Sequence, residues 1–168
     1  MHEFSELISD DNPIDNVEEV LSNNNWTYIR TSQEEVLLEV SGKNSKYHIC
    51  FLWNEKMNAL QFACRHNIEF NEANIVKAQR AVMTINEGLW MGHYDIPADT
   101  MTPTFRYTCL LRGSEKASLT ETIEDIVDIA LIQCERHYPS LELISTVDST
   151  VMNDNNFSLA LMETVGES

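Results

Sequence analysis

Basic residues are scarce: 11 Lys and Arg stand against 27 Asp and Glu in 168 residues, a formal net charge of -16. Binding to a phosphate backbone rests on Lys and Arg neutralising phosphates, so no direct nucleic-acid contact is expected. Glycine is also sparse, at five residues, and no glycine-rich phosphate loop, G-x-S-x-G run or Walker sequence occurs. No stretch approaches the roughly 18 consecutive apolar residues that a spanning helix needs. The opening Met1-His2-Glu3-Phe4-Ser5-Glu6 lacks the basic and apolar regions of an export signal, which predicts a cytoplasmic protein. Cys50, Cys64, Cys109 and Cys134 contain no C-x-x-C. A chain this long builds a core without disulfides, so reduced thiols are expected.

Hydrophobic residues form 43% of the chain, enough for one compact domain at the usual size of about 100 to 200 residues. Charge is unevenly spread. Residues 1–25 hold seven acids and no Lys or Arg, residues 26–117 hold ten of each sign, and residues 118–168 hold ten acids and Arg136 alone. The ends read mainly as helices and the neutral middle mainly as strands. An acidic segment over 1–11, a domain over 12–146, and a linker with a short terminal helix over 147–168 follow.

Asn12 before Pro13 is an N-cap oxygen followed by proline at the first helical position. Ile14, Val17, Val20 and Leu21 then form one stripe, and Asn23-Asn24-Asn25 ends it. Trp26 to Thr31 and Val36 to Val40 read as strands. In the next pair Tyr47, Ile49, Phe51 and Trp53 alternate with His48, Cys50 and Leu52, and Leu60, Phe62 and Cys64 alternate with Gln61, Ala63 and Arg65. A hairpin turning at Lys56-Met57 sets Trp53 opposite Leu60, Phe51 opposite Phe62 and Ile49 opposite Cys64. Asn71 is placed to cap a helix over 72–90 carrying Ile75, Ala78, Val82, Ile85 and Leu89, widened by Met83 and Trp90 and stopped by Gly92. Tyr94 to Ile96 reads as a short strand and Pro97 to Pro103 as a loop. A further strand runs from Thr104 to a turn at Arg112-Gly113-Ser114. Ser118-Leu119-Thr120-Glu121 is a capping-box sequence that opens a last long helix ending before Pro139. The pattern predicts an α+β fold in the order α-β-β-β-β-α-β-β-α plus a C-terminal helix, with helices packed on an antiparallel sheet of five or six strands.

Several residue groups could carry chemistry. His48, Cys50, Cys64 and His66 are zinc-type ligands, but the pleat that joins Ile49 to Cys64 puts His48 on the opposite face, so no metal site is expected. Cys134 and His137 lie three apart, as in a thiol–imidazole pair, yet Cys134 falls in an apolar stripe where a thiol serves as core filler. Glu121, Glu124, Asp125 and Asp128 read as a solvated helix face. His93-Tyr94-Asp95 is the best of the catalytic candidates; a strand after a glycine explains the same residues. The outward sheet face would show Leu37, Leu52, Ala63 and Leu110 beside His48, Arg65 and Arg106. That mixture fits either an interface or a face covered by another helix.

Asn12-Pro13-Ile14-Asp15, Trp26-Thr27-Tyr28, Phe51-Leu52-Trp53, Ile85 to Asp95, Leu110-Leu111-Arg112-Gly113 and Cys134 to Pro139, in that order, resemble the YbjN family over roughly residues 12–145. The final LALMETVGE is similar to the end of longer family members. The resemblance implies a fold like the type III secretion chaperones and a regulator of sensory transduction, with no catalytic residues to carry over. Chaperones of similar fold are acidic and commonly dimeric and hold extended partner segments. The resulting expectation is a non-enzymatic, chaperone-like adaptor, a homodimer without cofactor, that binds a protein partner through Leu37, Leu52 and Leu110, with Trp90 as an anchor or a core residue. Its acidic flanks would favour basic partners. The alternatives are a small-ligand binder or enzyme using His93, Tyr94 and Asp95, and transcriptional control exerted through a partner.

Overall fold

The computed structural model describes residues 12–112 and 116–147. The predicted acidic segment over 1–11, the turn at Gly113-Ser114, and the linker and terminal helix beyond Val147 lie outside the described residues. Among the described residues, three α-helices and six strands run in the order α1 (Pro13–Asn23), β1 (Tyr28–Arg30), β2 (Glu35–Ser41), β3 (Lys46–Asn54), β4 (Ala59–His66), α2 (Ile75–Gly88), β5 (His93–Asp95), β6 (Thr104–Leu110) and α3 (Lys116–Thr146). The fold is α+β, as the periodicity predicts. Every strand pairing is antiparallel, and the spatial order is β1-β2-β3-β4-β6-β5.

Local chemistry accounts for most element ends. Asn12 Oδ1 accepts from the Ile14 N–H at 3.0 Å, and Pro13 stands where its missing N–H costs nothing. The other end of α1 is a Schellman closure: Trp26 N–H donates to Leu21 O and Asn25 N–H to Ser22 O, with Asn25 at φ 57°. That closure holds Trp26 against the helix end, so β1 is shorter than the predicted 26–31. Glu55–Met57 forms a 3-10 turn closed by left-handed Asn58, and Asn54 Oδ1 accepts from Met57 N–H.

The predicted β3–β4 register holds. Trp53 pairs with Leu60, Phe51 with Phe62 and Ile49 with Cys64. The Phe51 and Phe62 rings meet edge-on at 5.1 Å, a favoured aromatic geometry. Pleat alternation sends these side chains inward with Val36, Leu38, Tyr47, His66 and Phe105, all buried except half-buried Trp53. Tyr94 on β5 completes the inner rung Leu38, Ile49, Cys64, Phe105, Tyr94 across five strands. The helices pack against one another and on the sheet: α3 touches α1, α2, β4 and β6, while α1 touches β2 and β3. The opposite sheet face carries no helix among the described residues.

Three predicted boundaries fail for stated reasons. Asn71 caps as predicted, its Oδ1 accepting from Ala73 and Asn74 N–H, but it caps a turn, and the α-helix starts at Ile75. At the other end α2 stops at Gly88, because Asn86 turns its side-chain amide onto the backbone of Tyr94, donating at 2.9 Å and accepting at 2.7 Å. This amide stands in for a missing strand along the free edge of β5. Met83 and Trp90 do not widen the core stripe; both are exposed. Finally, α3 starts at Lys116, two residues before the predicted cap, and runs through Pro139 to Thr146. Proline deprives the carbonyl four residues back of its helical donor. That carbonyl belongs to Glu135, and Asn44 Nδ2 approaches it at 3.5 Å, while Asn44 N–H and Nδ2 bond the Glu135 carboxylate at 3.1 and 2.6 Å. Beyond the proline, buried Leu141 and Ile144 continue the apolar stripe, and this burial outweighs the local break.

Candidate functional site

The outer sheet face is built on one rung that crosses all six strands: Ile29, Leu37, Cys50, Ala63, Arg106 and His93. The part of this rung from Ile29 to Ala63 is apolar because these residues occupy the positions that alternate with the core, and no helix among the described residues covers them. A second rung sets Glu35, Leu52, Gln61 and Thr108 side by side, and a third Glu39, His48, Arg65 and Thr104. Leu110 extends the face beside Ala59. The loop from Pro97 to Pro103 walls one side. It is pinned by Phe70 N–H donating to Met101 O at 2.8 Å and His66 N–H to Pro103 O at 3.0 Å, and Met101 itself turns left-handed at φ 53°. Between loop and sheet lies an open cavity of about 760 Å³, lined in part by Ile29, Leu37, His48, Arg65, Asp99 and Arg106.

Charges on this face are largely matched. Arg106 Nε donates to Asp95 Oδ2 at 2.8 Å, and Lys46 Nζ to Glu39 Oε1 at 2.7 Å. Both pairs are solvent-exposed and contribute little to stability. The Glu39 carboxyl is lowered, first by its hydrogen bond to Lys46. The Cys50 thiol is pushed up to about 11, chiefly by burial and then by Glu35 beside it, so it is no nucleophile at neutral pH. Arg65 lines the cavity without an ion-pair partner among the described residues.

Each sequence candidate now has a place. Leu37 and Leu52 are partly exposed and Leu110 is 61% exposed, all on the outer face; Leu37 lines the cavity, whereas Leu52 and Leu110 lie beyond it. Trp90 is 76% exposed in the connection between α2 and β5 and belongs to no core. His93, Tyr94 and Asp95 do not converge: alternation sends Tyr94 into the core and leaves His93 and Asp95 outside. The four zinc-type residues are divided as their parity predicts, with His48 and Cys50 outward and Cys64 and His66 inward. Among the described residues, no group of three His, Cys, Asp or Glu is placed to hold a metal ion, and no helix is long and apolar enough to cross a membrane.

The sequence reading missed a second cluster, buried between sheet and helices. Cys64 on β4 and Cys134 on α3 bring their sulfurs to 3.6 Å. Tyr94 O–H donates to Cys134 Sγ at 3.4 Å, and Tyr94 Oη lies 3.0 Å from His66 Nε2. His66 Nδ1 has no partner among the described residues. Tyr47 packs edge-on to His66, Tyr138 stacks on it, and His137 meets Tyr94 edge-on. The imidazole beside Cys134 is therefore His66, not His137 as the i, i+3 spacing suggested. Burial disfavours ionising Cys134, but its hydrogen-bond contacts with Cys64, His66 and Tyr94 outweigh it and lower that thiol. Cys64 is raised by its bond to Cys134 and by burial. Burial also lowers His137 to about 4, helped by Arg136 and His66. The two thiols sit 70 residues apart in the chain. Their inward parity marked each as core, but nothing in the sequence pairs them.

No curated protein matches the chain. Among solved structures it is similar to "Crystal structure of YbjN, a putative transcription regulator from E. coli", with 11% identity, a TM-score of 0.49, and coverage of 74% of this chain and 93% of that chain. The family model of YbjN, "Putative bacterial sensory transduction regulator", matches residues 13–143, and the chain belongs to that family.

Proposed function

We propose that this protein is a non-enzymatic, cytoplasmic regulator that works as a homodimer and holds an extended segment of a protein partner on its outer sheet face. The observation that carries the reading is the rung Ile29, Leu37, Cys50 and Ala63, flanked by Leu52 and Leu110, which no helix among the described residues covers, on a sheet whose other face packs against the helices. Apolar surface rimmed by polar groups marks an interaction site. Covering it is favourable at about 25 cal/mol for each Å² removed from water. Arg65, which has no ion-pair partner among the described residues, favours a carboxylate on the bound segment. The face itself thus selects an apolar segment with an acidic residue, while the acidic remainder of the chain disfavours nucleic acid. The family's regulatory description agrees with a binding role and assigns no reaction.

The cavity gives a specific alternative, a small anionic ligand, because its volume matches that of common ligand sites. One experiment separates the two. Tagged full-length protein is used to capture partners from native lysate, and intact complexes are weighed, alongside Leu37→Glu, Leu52→Glu, Leu110→Glu and Leu143→Glu. A protein segment spanning the face is lost with each of the first three variants and kept by Leu143→Glu, which alters α3. A cavity ligand is lost with Leu37→Glu and kept by Leu52→Glu and Leu110→Glu. A monomer that retains the same proteins in all four variants refutes the proposal.

A further inference from the structure

We propose that Cys64 and Cys134 form a redox-active dithiol that a hydroperoxide converts to an internal disulfide between β4 and α3. The sulfurs already touch at 3.6 Å. A disulfide spans about 2.05 Å, so the pair closes with a combined approach of about 1.5 Å. Ordinary buried thiols meet apolar neighbours. Here the Cys134 sulfur instead meets three groups able to stabilise negative charge: the Cys64 thiol, the Tyr94 hydroxyl and, through it, His66. Tyr94 is held in place by the Asn86 clamp on its backbone and by Phe105 edge-on to its ring. This fixes the donor independently of the thiols. Cys50 and Cys109 have no thiol neighbour; their sulfurs contact Glu35 Oε1 and the Leu60 carbonyl.

The chemistry assigns different roles to the two sulfurs. Cys134, as thiolate, attacks one peroxide oxygen; the O–O bond breaks, giving a sulfenic acid and a hydroxide that takes up the thiol proton as water. Cys64 then attacks the Cys134 sulfur, the S–O bond breaks, and the departing hydroxide takes the Cys64 proton as a second water. Two thiols and one hydroperoxide become one disulfide and, for hydrogen peroxide, two waters. Both sulfurs are fully buried, so the rate follows local opening of the α3 layer. Oxidation removes the acceptor for the Tyr94 proton. Since Tyr94 lies between His93 and Asp95 on β5, that loss is transmitted to the edge of the outer face.

The test uses the full-length reduced protein, treated with hydrogen peroxide under native conditions, then digested without reduction and analysed by mass spectrometry. The expected result is loss of two hydrogens from the intact chain, a single cross-linked peptide pair containing Cys64 and Cys134, and full reversal by a thiol reductant. The Cys50→Ser, Cys109→Ser double variant, which leaves the cluster untouched, forms the bridge unchanged. Cys64→Ser, which strands the first intermediate, yields a dimedone adduct at Cys134. The inference is overturned if Cys64 and Cys134 remain alkylatable after unfolding while Cys50 and Cys109 are oxidised. It is overturned equally if the bridge forms no more selectively in the folded protein than in guanidinium-unfolded chain. Partner capture is not the readout, so failure here leaves the binding proposal standing.

Discussion

His137 makes stability depend on pH in a calculable way. It is 3% exposed, its Nδ1 has no partner among the described residues, and burial holds its conjugate acid at about 4 against an ordinary 6.5. A base whose folded value is depressed contributes its full stability above 6.5 and loses it as pH falls toward 4, because in that window the unfolded chain binds a proton that the folded chain does not. At about 1.4 kcal/mol for each pH unit, the loss is about 2 kcal/mol by pH 5 and about 3 kcal/mol by pH 4. His137→Phe keeps a ring against Tyr94 and removes the titrating atom and its unpaired nitrogen. The measurement is urea unfolding of both proteins at about pH 7.5 and pH 5, followed by the fluorescence of half-buried Trp26 and Trp53; pH 5 stays above the pI near 4.5. Carboxylates titrate alike in both, so the difference isolates His137. The variant gains about 2 kcal/mol relative to the wild type between the two pH values, about 1 M in urea midpoint at a slope near 2 kcal/mol/M. Parallel pH profiles would show that the imidazole is solvated or charged in the fold and would refute the argument.

Other expectations are simpler. Phe51→Ala removes a fully buried ring and costs about 3 to 5 kcal/mol. A double-mutant cycle with Phe62→Ala returns a coupling of about 0.5 to 1.5 kcal/mol from the edge-on contact. Gly92→Ala meets both a φ of +69° and the backbone carbonyl of Arg106, 2.8 Å from the added Cβ. It costs at least about 2 kcal/mol by thermal melting. Asn86→Ala leaves the Tyr94 N–H and C=O without partners and costs about 1 to 3 kcal/mol, with faster amide exchange on β5. Trp90→Ala stays within about 0.5 kcal/mol of wild type, since the side chain packs on nothing in the core.

What the sequence disclosed follows from the range of the forces involved. The β3–β4 register was legible because its parity is local: one wrong step would expose Phe51, Phe62 and Ile49 together. Helix ends governed by a neighbouring side chain were legible too, as at Asn12. Ends governed from afar were not. Pro139 reads as a stop until Asn44, 91 residues away in the chain in its bonds to Glu135, supplies the displaced carbonyl with a donor. Gly92 reads as a helix terminator, whereas Asn86 ends α2 earlier by bonding a strand that has yet to form in the reading order. The outer leucines were legible by alternation alone. Whether a helix covered them was not, because each of the three described helices has one apolar stripe and nothing local says which sheet face it chooses.

The same logic explains why the thiol cluster escaped notice while the false zinc set did not. Spacing rules join residues close in sequence, and His48, Cys50, Cys64 and His66 satisfied such a rule until the pleat divided them. The pleat that separates His48 from Cys64 is also what turns Cys64 and His66 to the same interior side, toward Cys134 on α3 and Tyr94 on β5. One alternation therefore does two jobs: it leaves an apolar rung open on one face and gathers polarisable sulfur, imidazole and phenol on the other. The faces meet at β5, where Tyr94 points in while His93 and Asp95 point out, and Asp95 holds Arg106 on the outer rung. A change in the hydrogen bonding of Tyr94 acts on a three-residue edge strand that pairs with β6 alone, packs on α2 and is clamped by Asn86.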